Sequence, residues 1–123
     1  MTREEALTMA SKWADAWNAR DIERVLGFFA DGVTFVSPTA LAVMGSATVQ
    51  GKEALRAYWT LAMSRIQSLR FTVDRVLWDS ASCELAIVYV ADIDGRARRV
   101  SENLTFADDG LVASAEVFHG APP

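Results

Sequence analysis

The sequence predicts an α+β fold, a curled antiparallel sheet with helices packed on its concave face and a cone-shaped pocket between them. Apolar residues recur at helical spacing through much of the first half of the chain, whereas the second half alternates as strands do. Two Asp-Gly turn signals, at 94–95 and 109–110, divide that second half into successive strands. With 123 residues, 51% of them apolar, the chain is one domain's worth (1–123) and has the material for a core.

Thr2 and Glu5 have capping-box spacing, and Leu7, Ala10, Trp13, Ala14 and Trp17 follow as one helical face. Asp21 is a good N-cap for a second helix with the stripe Ile22, Val25, Leu26 and Phe29, stopped at Asp31-Gly32. The strand VTFVS comes next, with Val33, Phe35 and Ser37 on one face. Residues 38–50 have no clear period and are expected to form a long loop with a short strand near 48–50. Gly51 opens a third helix with the stripe Leu55, Tyr58, Trp59, Ala62 and Ile66. Strands are expected at 71–78, 84–93, 98–106 and 111–120.

The net charge of −4 lacks the basic footprint of a nucleic-acid binder, and no apolar run is long enough to suggest a membrane span. MTREEALTMA lacks the order of a signal peptide, and the lone Cys83 reads as a packing residue, so a cytoplasmic protein is expected. One cysteine and one histidine exclude a conventional zinc site. GSATVQGK (45–52) fails as a phosphate loop: five residues separate its glycines, and Glu53 stands where a metal-binding hydroxyl is required.

The W-x-x-A-W-N-x-x-D opening, the F-x-D-G-V-x-F-x-x-P passage, the V-x-G-x-E helix start and the late D-D-G turn together resemble the nuclear transport factor 2-like superfamily. Within it the chain is most similar to the SnoaL-like and ketosteroid isomerase-like branch. The resemblance implies a cystatin-like α+β roll with a deep pocket, commonly dimeric. Isomerases of that branch carry an aspartate base before the proline that ends the first strand, where this chain has Ser37. Their first-helix tyrosine corresponds to Trp13, their protonated acid to Glu102, and an aromatic near the base to His119. A serine hydroxyl is too weak a base to take a carbon-bound proton unaided, so the branch's own mechanism does not transfer. An acid–arginine–acid cluster of the epoxide hydrolase kind is not matched either, because Val100 stands where the arginine is wanted.

The expected catalytic residues are therefore His119, as acid or base, and Glu102, as its orienting or proton-donating partner. Ser37, Trp13, Phe35, Trp59, Tyr89 and Val117 are expected to bind the substrate, Trp13 through its indole N–H and Tyr89 through its phenol. The arginines at 96, 98 and 99 are either a solvated strand end or a mouth that attracts an anionic ligand. The expected activity is cofactor-free and metal-free proton transfer (isomerisation, cyclisation or dehydration) on a small apolar cyclic ligand. The rival reading is a non-catalytic binding or scaffold domain. Val88, Val90, Thr105 and Phe118 share the other sheet face, and a homodimer through that face is expected.

Overall fold

The structure, a computed structural model, describes all 123 residues. Helix α1 runs Arg3–Asn18 and opens with the expected capping box: Thr2 N donates to Glu5 and Glu5 N to Thr2. Its buried face is Ala6, Ala10, Trp13, Ala14, Ala16 and Trp17. Leu7, expected on that face, is exposed, because the helix turns its alanines inward and so packs closely on the sheet. The side chain of Asn18 then bonds both the N–H and the C=O of Phe71, which ties the end of α1 to a strand.

Helix α2 is shorter than expected, Ile22–Leu26, and is capped by Asp21. It ends at Gly27, and Phe29 already begins strand β1, Phe29–Val36. Asp31-Gly32 therefore lies inside the strand, in a stretch where the pairing register shifts, rather than at a helix stop. Residues 38–44 are a helix too, α3 (Pro38–Met44), where a loop was expected. Ser37 is its N-cap and accepts from Thr39 N at 3.2 Å, Pro38 pre-sets the first turn, and Gly45 closes it in the left-handed region. Strand β2 (Thr48–Gln50) and helix α4 (Lys52–Ser64) follow as expected, except that Ile66 lies past the helix end.

Four strands complete the chain: β3 (Leu69–Asp79), β4 (Glu84–Ile93), β5 (Arg96–Phe106) and β6 (Val112–His119). All six form one sheet in the order β2-β1-β6-β5-β4-β3, antiparallel throughout except for the parallel pair β1–β6. Asp94 and Gly95, both at positive φ, make the two-residue turn that joins β4 to β5. Register shifts in β1–β6, β3–β4 and β5–β6 bend the sheet, and the curled sheet wraps the helices on its concave face. Leu85, Ile87, Leu104, Val112 and Val33 bury on that face. Cys83, expected to pack, is exposed at positive φ in the β3–β4 turn. No helix is long and apolar enough to cross a membrane.

Candidate functional site

Between the helices and the concave face lies a cavity of about 600 Å³, within the range of small-molecule pockets. Its apolar wall is drawn from six elements: Trp17 of α1, Phe35 of β1, Trp59 of α4, Phe71 of β3, Tyr89 of β4 and Val117 of β6. Trp59 meets Trp17 and Phe35 edge-on at ring-centroid distances of 4.9 and 5.5 Å, so much of the wall is aromatic.

Glu102 stands in the middle of this wall. In register it is paired with Ile87 on one side and Val117 on the other, and it is only 4% exposed. Tyr89 lies one step along β4 on the same face, and its hydroxyl donates to Glu102 Oε1 at 3.3 Å. Oε2 is buried without a partner. Burial pushes the Glu102 carboxyl up from the 4.5 of an ordinary glutamate to about 7, against the opposing pull of the Tyr89 hydrogen bond. Burial and the neighbouring Glu102 charge in turn hold the Tyr89 phenol far above its ordinary value.

A second phenol faces the same space. Burial pushes Tyr58 of α4 up to about 12; the Ser37 and Thr39 hydroxyls beside it oppose that shift, and the Glu102 charge adds to it. Sequence spacing assigns Tyr58 to the core stripe and gives no sign of this role. The one available signal is a hydroxyl on an otherwise apolar helix face.

His119 lies on the cavity side of β6, half-buried, opposite Val100 and one residue pair nearer the mouth than Glu102. Its Nδ1 is 2.8 Å from Arg98 Nη1. A guanidinium can only donate, so Nδ1 accepts and the neutral ring carries its proton on Nε2. Burial, and then the Arg98 charge, lower the His119 pKa below 6.5. At neutral pH the ring is thus a hydrogen-bond donor whose basic nitrogen is engaged.

Ser37, Phe35, Trp59, Tyr89, Glu102, Val117 and His119 all border this one cavity. Trp13 does not. It is fully buried behind the wall, stacked on Phe71 at 5.6 Å and edge-on to Tyr89 at 5.0 Å, while Trp17, one turn later, reaches the cavity. No hydrogen bond joins Ser37, His119 and Glu102: each is engaged elsewhere, with Thr39, Arg98 and Tyr89. No group of three potential ligands is gathered to hold a metal ion.

Fold and cavity together are those of a small α+β roll built around an internal pocket. Residues 10–115 match the SnoaL-like domain, and the chain belongs to that family, within the nuclear transport factor 2-like superfamily. It is 30% identical to a SnoaL-like protein of unknown function from Burkholderia thailandensis, with 98% of each chain covered and a TM-score of 0.87. It also resembles a protein of unknown function with a cystatin-like fold from Methylobium petroleophilum (18% identity, 100% of this chain and 80% of that one, TM-score 0.78). A third similar structure is TerC co-crystallised with polyporic acid (15% identity, 95% and 90% covered, TM-score 0.76). No curated protein matches the chain.

Proposed function

We propose that this chain is a small-molecule enzyme that moves a proton on an apolar cyclic substrate bearing a carbonyl or enol oxygen, without a metal or organic cofactor. Residues 1–123 work as one SnoaL-like domain. It pairs as a homodimer through the outer sheet face and acts in the cytoplasm, where an exposed thiol such as Cys83 stays reduced. The observation that carries the reading is Glu102, a buried carboxyl with one free oxygen that titrates near neutrality in an aromatic-walled cavity. TerC's co-crystallisation with polyporic acid supports a small organic occupant.

A carboxylate of that pKa suits abstraction of a proton next to a carbonyl. As the C–H bond breaks, its electron pair moves onto the carbonyl oxygen, to which the protonated Tyr58 phenol donates. The enolate then collapses and its electron pair either takes the Glu102 proton at the γ-carbon of a β,γ-unsaturated ketone, giving the conjugated isomer, or expels a β-hydroxyl, which takes that proton and leaves as water. Tyr89 holds Oε1 and Oε2 is sealed in the wall without a partner, so the carboxyl turns about its last side-chain bond to present an oxygen to the substrate. His119 serves as a neutral donor through Nε2, which replaces the acid–base role expected from sequence. Ser37 supports the site by capping α3.

The test is hydrogen–deuterium exchange of the activated ketone 2-tetralone, followed by NMR. The protein should accelerate exchange with a midpoint near Glu102's own, and Glu102→Gln should remove most of the gain. Exchange no faster than with Glu102→Gln, despite binding, would leave a non-catalytic ligand-binding domain. For the dimer, Phe118 is 53% exposed in a cross-strand row with Val88 and Ser101. Light scattering should give twice the chain mass, and Phe118→Asp should give the monomer; a monomeric wild type overturns the pairing.

A further inference from the structure

The cavity mouth carries a charge imbalance that the proton-transfer chemistry does not use. Arg65, just past α4, and Arg96 and Arg98 of β5 all line the cavity, and all three are exposed, which sets them at its opening. None is within salt-bridge distance of a carboxylate, although the protein's net charge is −4 and Arg56, Arg75 and Arg99 all have acidic partners. The one acidic residue at the same opening, Asp94, is occupied. Its Oδ1 accepts from the backbone N–H groups of Gln67 and Ser68, both at 2.8 Å. Three guanidinium groups without a carboxylate partner, one of them (Arg98) bonded to the neutral His119 ring, therefore face one engaged carboxylate.

We propose that the mouth selects a carboxylate, so that the substrate is an aromatic or fused-ring acid whose anionic end is held by Arg96 and Arg98 while its ring body lies against Trp17, Trp59 and Phe71. The proposal rests on the cavity being a ligand site. The guanidinium fork matches a carboxylate in shape as well as charge. Arg98 and Glu102 lie four residues apart on one face of β5, about 13 Å along an extended strand. A two- or three-ring acid therefore brings its far end towards the buried carboxyl while its own acid group stays at the opening. That separation also keeps the substrate's charge away from the Glu102 carboxylate, which it would otherwise oppose. The His119 N–H lies between the two ends, beside Arg98.

The experiment uses two probes of one shape, 2-naphthoate and its neutral amide 2-naphthamide, measured by calorimetry on the full chain. The wild type should bind the acid about three- to tenfold more tightly than the amide at low salt, the scale of one or two exposed ion pairs, and the preference should shrink at high salt. The double variant Arg96→Gln/Arg98→Gln should bind both probes alike. Arg3→Gln, which changes net charge by the same sign at the far end of α1, should retain the preference. Equal binding of acid and amide by the wild type overturns the proposal and leaves the ligand cavity standing. A preference that survives the double variant also overturns it. Binding of neither probe sinks the ligand-cavity reading itself, and this proposal with it. Thermal unfolding of each variant checks that loss of preference is not loss of fold.

Discussion

Along one face of β5, Arg96 and Arg98 stand exposed at the cavity mouth, while Glu102, only a few residues on, is buried in its wall. The two ends handle charge differently because water reaches one and not the other. At the mouth, solvent screens each guanidinium, so its charge persists and each contact adds little. In the wall, an unpaired carboxylate is costly, and the group answers by moving its pKa. The same strand thus offers a fixed, weak attraction for binding at one end and a titratable proton carrier at the other. All but one of the following experiments act on one end and leave the other as the control.

The largest effect should come from the buried end. Glu102→Gln keeps the shape and removes the proton carrier, and we expect 2-tetralone exchange to fall by about 10²–10⁴-fold, with affinity for naphthoate nearly unchanged. A fall in affinity with exchange intact would reverse the division of labour between the two ends.

Stability against pH gives a second, smaller test of the same group. Below pH 4.5 both folded and unfolded chains hold Glu102 protonated, and burial of charge costs nothing. Between 4.5 and about 7 the folded state keeps a proton that the unfolded chain has released, so stability falls as pH rises. Above that range the loss levels off at about 3 kcal/mol. Urea midpoints should therefore drop through this window in the wild type relative to those of Glu102→Gln, which lacks this loss. Parallel curves for the two proteins would mean that the carboxyl is not strained by burial.

Much of this division was legible in the sequence, and the parts that were not have physical reasons. Alternation along β4, β5 and β6 placed Tyr89, Glu102, Val117 and His119 on one face, because side-chain direction in a strand is set by parity alone. Helix α1 was harder. Leu7 and Ala6 are neighbours, and only packing on the sheet decides that the alanine turns inward and that Trp17, not Trp13, reaches the cavity. The seven residues of α3 are too few to show a helical period, although Ser37-Pro38 is the N-cap and first-turn pair that marks its start. The contact between Arg98 and His119 crosses two strands and depends on register, which no local pattern encodes.

Ser37 lies between the large and small effects. As the cap of α3 it should cost about 1 kcal/mol when replaced by alanine, seen as a lowered melting temperature, with 2-tetralone exchange changed much less than in Glu102→Gln. Loss of exchange with stability intact would make the hydroxyl a participant in the chemistry rather than a support.

The smallest effect is expected at the mouth, where the Arg98 charge acts on His119. This is the only histidine in the chain, so its ring resonances can be followed by NMR without assignment. Burial is the larger cause of its lowered pKa and Arg98 the lesser. Arg98→Gln should therefore raise the midpoint and still leave it below 6.5. The linked stability has the opposite slope to that of Glu102. As pH falls below 6.5 the unfolded chain takes up a proton that the folded ring resists, so this contribution is lost towards low pH. Arg98→Gln should weaken that loss, which falls inside the Glu102 window, and leave the Glu102 slope, read as the difference from Glu102→Gln, as it was. A midpoint that does not move would mean that the guanidinium, though 2.8 Å from Nδ1, is screened as fully as an ordinary surface charge. A midpoint above 6.5 would mean that the arginine rather than burial keeps the ring neutral, and that the mouth reaches further into the cavity than its exposure implies.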